Sequence, residues 1–292
     1  MRVFVTGGTG VIGSAVVREL VARRHHVIGL ARSETAAARL SARGAASMAG
    51  DISSPETWVA QLPDIDAVVH MACDLASDMG AIERRLLDKL LPALAAQPAK
   101  VRFVYTGGCW LFGATGDVVA TERTGFDPLP AFAWMISHLE RILAAHDVHG
   151  IVIHPAMVYE PAGGVFRRFA RDAFAERAVR LVGGEAVRWP LVHSEDLAAL
   201  YALALERAPA GSSYIGAAAE GRPVGQIARA FARLTGGPQE PMIVSADAAA
   251  AELGEWARGY ALDQCLSGAK ARHELGWQPK HLDPEAEIAA LA

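Results

Sequence analysis

The sequence predicts an α/β protein. A parallel sheet, wound in both directions, is covered by helices on both faces and followed by a smaller C-terminal lobe. Three observations carry that expectation. Short apolar runs alternate with helical stretches through the first half of the chain, a glycine-rich turn joins the first run to the first helix, and the alternation loosens after about residue 160. Strands buried on both faces read as continuous apolar runs rather than alternating ones, which is the pattern of a parallel sheet.

The elements follow in order. VFV (3–5) opens the sheet, and HVIGL (26–30), DAVVHMA (66–72), VRFVYT (101–106) and GIVIHP (150–155) continue it. Helical patterns fill the gaps at 11–24, 34–43, 55–62, 78–97 and 131–147. In the first of them Ile12, Val16 and Leu20 recur every four residues beside Val17 and Val21, a stripe that faces a core. Further helices are expected at 163–178, 195–207, 224–235 and 247–258, broken by turns such as GGPQEP (236–241). The division drawn is 1–160 for the sheet domain and 161–292 for the smaller lobe. The stretch 195–218, through SSYIGAA (212–218), is expected to return to the sheet.

Composition bounds the rest. The chain has 292 residues, of which 52% are hydrophobic and 21% charged, a globular balance with enough length for a substantial core. A net charge of −4 supplies no positive field for a nucleic acid. Cys73, Cys109 and Cys265 lie far apart, without a C-x-x-C pair or metal-ligand spacing, so neither a disulfide framework nor a metal is expected. No apolar run approaches the roughly 18 to 20 residues needed to span a membrane, and MRVFVTGG already reads as strand and turn rather than leader. The expectation is a cytoplasmic protein that handles a small molecule.

The most informative segment is TGGTGVIG (6–13), placed directly after the first strand and opening the first helix. Gly7, Gly10 and Gly13 allow a tight turn, close approach of the backbone to a pyrophosphate, and close packing of helix on sheet. The amides at the helix start, at Val11 and Ile12, then face the phosphate oxygens. A dinucleotide site is the reading, because the turn sits in the strand–helix context that such chemistry requires. The second strand ends in GLARSE (29–34). NAD(H) sites commonly carry an acidic residue there for the ribose 2′-hydroxyl, whereas Arg32 and Ser33 suit a 2′-phosphate, so NADP(H) is favoured over NAD(H).

With further segments in the same order, the chain resembles the extended and atypical short-chain dehydrogenase/reductase superfamily of the NAD-dependent epimerase/dehydratase type, which has a Rossmann-type doubly wound sheet. Beside TGGTGVIG, the matching segments are GDI (50–52), VVHMA (68–72), HPAMVY (154–159), LVHSEDLA (191–198) and AKARHELGWQP (269–279). The resemblance implies that Asp51 and Ile52 lie against the adenine, that Met71 and Ala72 line the cofactor, and that Pro155 and Val158 lie beside the nicotinamide. It also implies a Ser or Thr after the fifth strand and a Tyr-x-x-x-Lys on the following helix. Those positions fall on Gly108, Trp134 and His138, with Ser137 matching the frequent Ser-Lys pairing.

An indole does not titrate usefully, so Trp134 cannot replace a phenol as acid or base. His138 can bond a ribose but lacks the lasting charge of lysine. Losing one general acid costs about 10²- to 10⁴-fold in rate, or about 3 to 5 kcal/mol. The groups left to carry chemistry are His138, Cys109 and Tyr159. Asp74, Trp110, Trp134, Trp189 and His193 are candidates on the substrate side. The reading is an NADP(H)-dependent oxidoreductase for a small carbonyl, alcohol or related metabolite. Its alternatives are a non-redox isomerase, lyase or cyclase on the same scaffold, or an NADP(H)-sensing binding protein. By the same resemblance, helices 78–97 and 131–147 are the expected faces of a homodimer.

Overall fold

A computed structural model describes residues 1–292. The chain runs β1 (Arg2–Thr6), α1 (Val11–Ala22), β2 (His26–Ala31), α2 (Glu34–Ser41), β3 (Ala46–Ala49), β4 (Ala67–His70), α3 (Met79–Ala95), β5 (Arg102–Thr106), α4 (Met135–Leu143) and β6 (His149–Pro155). It continues through β7 (Met157–Glu160), β8 (Gly163–Gly164), α5 (Arg167–Phe174), β9 (Arg180–Val182), β10 (Arg188–His193), α6 (Ser194–Arg207) and β11 (Ser212–Gly216). Last come β12 (Ala219–Pro223), α7 (Val224–Thr235), β13 (Met242–Val244), α8 (Ala246–Leu253), α9 (Ala269–Leu275) and α10 (Pro284–Ala289).

Seven strands form one sheet in the order β3-β2-β1-β4-β5-β6-β11, every neighbouring pair parallel, with helices on both faces. Parallel pairing buries both sides of each strand, and Val3, Phe4, Val5, Ala67, Val68 and Val69 are accordingly fully buried. The winding direction reverses between β1 and β4, which opens a crevice beyond their carboxyl ends. β11 joins β6 after a long excursion, with Ser212 opposite Ile151. α6 returns across the sheet to pack on α1.

A second sheet, β12-β10-β7-β8, borders the crevice through β7 and β8, and β13 and β9 form a separate short pair. On α3, Leu86, Leu87, Leu90, Leu91 and Leu94 all face the chain's own core, so that apolar stretch is spent within the monomer.

Several elements differ from the sequence expectation. The stretch 55–62 is two 3₁₀ turns, Pro55–Thr57 and Val59–Gln61, rather than a helix. The stretch 131–147 shrinks to a 3₁₀ turn at Pro130–Phe132 and then α4, with Trp134 as the residue before its first turn. Gly254, at φ 105°, interrupts 247–258, so α8 ends there and a 3₁₀ segment, Glu255–Ala261, follows. β3 was not anticipated: its exposed Ala-Ser-Met-Ala run carries no apolar signal. No helix is long and apolar enough to cross a membrane.

Candidate active site

The glycine turn lies where β1 meets α1, against the end of β4. Gly7 takes φ +73°, and a Cβ there would stand 2.7 Å from the Ala72 amide nitrogen. A Cβ at Gly13 would collide with the carbonyl of Gly7 and come within 2.8 Å of Gly8 Cα. Both positions therefore admit only glycine, which is what brings the helix start close to the strand end. Gly10 caps α1 without a side-chain hydrogen bond, so the first-turn amides have no internal partner and are free to meet an anion.

Val11, Ile12, Met71, Ala72, Pro155 and Val158 line one cleft of ≈ 900 Å³ that begins at this turn and runs along the carboxyl ends of β4, β5 and β6. These residues fit a dinucleotide: a cradle that a Cβ would fill, followed by an apolar trough. Outside this cleft, on the β2 side of the glycine turn, Arg32 is exposed just beyond β2. Ser33 caps α2 by accepting from the Ala36 amide at 3.2 Å. Asp51 accepts from the amide and the hydroxyl of Ser53, both at 2.8 Å, beside the half-buried Ile52. Asp74 does not line the cleft and lies near Arg32 rather than on the substrate side. Its carboxylate takes the Ser77 hydroxyl (2.8 Å) and the Ala76 amide (3.1 Å), and those bonds, with Arg32 nearby, hold its pKa below the usual carboxylate range.

In the middle of the cleft, β5 runs into Gly107, Gly108, Cys109 and Trp110. A side chain at Gly108 would meet nothing within 4 Å, whereas a Cβ at Gly107 would press on His154 Nδ1 at 2.5 Å. His154 is buried between Phe112 and Phe126, its Nδ1 lacks a partner, and burial lowers its pKa to about 4. Cys109 lines the cleft but is 5% exposed, and burial pushes its thiol up to about 12, so it is no thiolate nucleophile. His138 is also buried, with its pKa lowered mainly by desolvation. Its ring lies 5.9 Å from that of Trp134, and the indole, not the imidazole, lines the cleft.

Three cleft residues went unnoticed in the sequence: His70, Glu83 and Tyr105. His70 Nδ1 is 2.6 Å from Thr6 Oγ1, and its Nε2 stands 3.1 Å from both Glu83 oxygens. Hydrogen-bond geometry is met only at Oε2, and the buried Oε1 has no hydrogen-bond partner. The Tyr105 ring stacks on His70 at 5.5 Å, and burial, then the Glu83 charge, holds its phenol well above the usual value. His70 sits within the VVHMA segment, but no sequence pattern joins it to Glu83 and Tyr105, because α3 meets β4 and β5 only in the fold.

The outer part of the cleft is aromatic. Trp110 packs against Phe132 (ring centres 5.5 Å apart), Tyr260 (5.6 Å, edge-on) and Trp256 (6.3 Å), and Trp134 lies beside them, its Nε1 donating to the Ala131 carbonyl at 3.0 Å. Three other expected site residues do not reach the cleft. Trp189 is 4% exposed and backs Tyr260, donating to its carbonyl at 3.0 Å. Tyr159 Oη points at the His281 carbonyl and Glu287, 3.4 Å from each, and burial pushes its pKa up, so it is no proton donor to the cleft. His193 caps α6 through Nδ1 and stacks on His281 at 3.8 Å. Ligating atoms of His193, His281 and Glu287 come within 4.8 Å of one another. However, Nδ1 of His193 accepts the Glu195 amide at 3.3 Å, which leaves the proton on the nitrogen that would have to bind a metal.

Comparison with known proteins agrees with this fold. Residues 3–216 match the model of the NAD dependent epimerase/dehydratase family. An uncharacterised protein of Schizosaccharomyces pombe is 27% identical over 299 residues, covering 100% of this chain and 99% of its own length. A 3-diazoavenalumate denitrifying reductase of Streptomyces is 27% identical over 304 residues, covering 96% of this chain and 97% of its own. Among solved structures, dTDP-glucose 4,6-dehydratase of Streptomyces venezuelae with NAD bound superposes with a TM-score of 0.83 at 21% identity, over 99% of this chain and 95% of that one. The chain belongs to the NAD dependent epimerase/dehydratase family, whose members are NAD(P)-dependent enzymes acting on small molecules.

Proposed function

We propose that this chain is an NADP(H)-dependent oxidoreductase that acts on a small carbonyl or alcohol. The observation that carries the reading is one continuous cleft, with a glycine cradle for a pyrophosphate at one end and an aromatic chamber at the other. A nicotinamide dinucleotide held there supplies or takes up the hydride. Gly7, Gly10 and Gly13, with the amides of Val11 and Ile12, hold the phosphates, and Arg32 with Ser33 receives the 2′-phosphate. Asp51 and Ile52 flank the adenine, and Met71, Ala72, Pro155 and Val158 wall the nicotinamide end.

Gly108 leaves room beside Trp134 for the reacting carbon of the substrate. For the proton, Glu83 is the better candidate than Cys109 or Tyr159: it is a cleft-lining carboxylate with a free oxygen, bonded to His70 and close enough for its charge to act on Tyr105. His138 then supports the pocket from behind Trp134. The Streptomyces relative is a reductase, which supports the direction of the reading.

Two measurements test it. NADPH should bind at least tenfold more tightly than NADH, with the advantage lost in Arg32→Ala. Tighter NADH binding, or an unchanged NADPH affinity in the variant, refutes the cofactor choice. Turnover of carbonyl compounds should consume NADPH stoichiometrically. A substrate converted without net change in nicotinamide absorbance would replace this reading with an isomerase or lyase, and binding without any turnover on broad panels would favour a sensor.

A further inference from the structure

The outer end of the cleft combines two features that nothing in the cofactor's chemistry requires. One is the aromatic wall, with Trp110 clamped by Phe132, Trp256 and Tyr260. Trp110 lies so close over Gly259 that no side chain fits beneath the indole, so the wall is built before any ligand arrives. The other is the arginine face of α5. Arg167 and Arg168 line the cleft, and the guanidinium carbon of Arg168 sits 5.1 Å from the centre of the Tyr260 ring.

These two arginines stand apart from the other cations on and near α5. Arg171 and Arg177 pair with the buried Asp172 at 3.5 and 3.4 Å, and Arg180 holds Glu252 through two contacts at 3.0 and 3.2 Å. Arg167 and Arg168 belong to no ion pair within 4 Å. The acidic residues on the same stretch of wall are already engaged: Glu252 by Arg180, and Glu160 by the Ser194 hydroxyl at 2.9 Å. A guanidinium held over an aromatic ring, with no ion-pair partner and its neighbouring carboxylates committed elsewhere, is a receptor for a planar anion.

We infer that this chamber binds a flat aromatic or conjugated carboxylate, its ring against Trp110 and Trp256 and its carboxylate on Arg168, with Arg167 adding to the field. The inference rests on the reading of the cleft as a substrate site, and it specifies the substrate class. A neutral metabolite would leave the charge of Arg168 without a counter-ion in a partly dry site, and a bulky saturated ring would forgo stacking on the wall.

Isothermal titration calorimetry of the purified full chain with cinnamate, cinnamamide and UDP-glucose tests this, with NADPH binding followed separately by its fluorescence. Cinnamate should bind at least tenfold more tightly than cinnamamide and more tightly than UDP-glucose. Arg168→Gln should bring acid and amide to within about twofold while NADPH affinity stays at the wild-type value. Arg167→Gln, on the exposed side, should reduce the ratio partially, and it serves as the second variant should Arg168→Gln fold poorly. Equal binding of acid and amide, tighter binding of UDP-glucose, no binding of either aromatic, or an unchanged ratio in both variants overturns the proposal. Loss of NADPH binding in the wild type would instead overturn the cofactor reading.

Discussion

His154 makes the stability of this protein depend on pH in a way that one substitution isolates. The imidazole is 2% exposed, enclosed by Phe112 and Phe126, with Nδ1 unpartnered, and burial lowers its pKa from 6.5 to about 4. The folded state therefore binds the proton less readily than the unfolded chain does. The stability contributed by the neutral ring is fully present above pH 6.5 and is lost as pH falls towards 4. At about 1.36 kcal/mol per pH unit, the whole difference amounts to about 3 kcal/mol, of which about 2 kcal/mol is gone by pH 5. His154→Leu removes the titration while keeping an apolar side chain in the space. Urea denaturation of both proteins at pH 7.5, 6, 5 and 4.5 reads the difference directly. The wild type should lose about 2 kcal/mol more than the variant between pH 7.5 and 5. Parallel stability curves would show that the ring is hydrated or paired in solution, and would refute the reasoning.

The remaining predictions concern the cleft. Gly108→Ser should leave stability within about 0.5 kcal/mol, because the backbone there is extended and the space is open, while Gly107→Ala should cost about 1 to 3 kcal/mol through its clash with His154. Thermal melts of the two neighbours provide the contrast, and equal effects would contradict the packing. Gly13→Ala should abolish NADPH binding in a fluorescence titration, since the added methyl collides with Gly7. Retained affinity would exclude the turn as the phosphate site. Glu83→Gln should fold normally yet lower turnover about 10²-fold or more and alter the pH–rate profile. An unaltered profile would remove Glu83 from proton transfer.

How much of this was legible in the sequence depended on range. The glycine turn announces itself because eight adjacent residues do one job, and β1, β2, β4, β5 and β6 carry apolar runs that parallel pairing demands. β11 was readable from SSYIGAA for the same reason. β3 was not, since an edge strand of alanine, serine and methionine needs only backbone pairing with β2. β7 and the end of β10 lie in segments read as family signatures, β12 lies in none, and their short runs did not declare a second sheet.

In the site, residues tied to a local pattern were located, and those defined by tertiary contact were missed or misassigned. Glu83 sits mid-helix on α3, and Arg168 and Trp256 are 88 residues apart in the numbering, yet all three line the cleft. Tyr159, Trp189 and His193 lie in or beside segments that resemble the family's site segments, but β7 and β10 turn their side chains towards the C-terminal segments instead.

The late arrival of β11 has a consequence for synthesis. When β6 leaves the ribosome, the six strands made so far can pair, but β6 stands as a bare edge until residue 212 has been made and threaded beside it. Its run of Ile151, Val152 and Ile153 is the kind of edge on which chains aggregate. Once β11 docks, the Glu122 carboxylate takes the outward-facing Ile215 amide at 2.7 Å and blunts the new border. The vulnerable interval in the life of this protein is therefore the translation of residues 156 to 216, and a nascent chain stalled there is the form that most needs a chaperone.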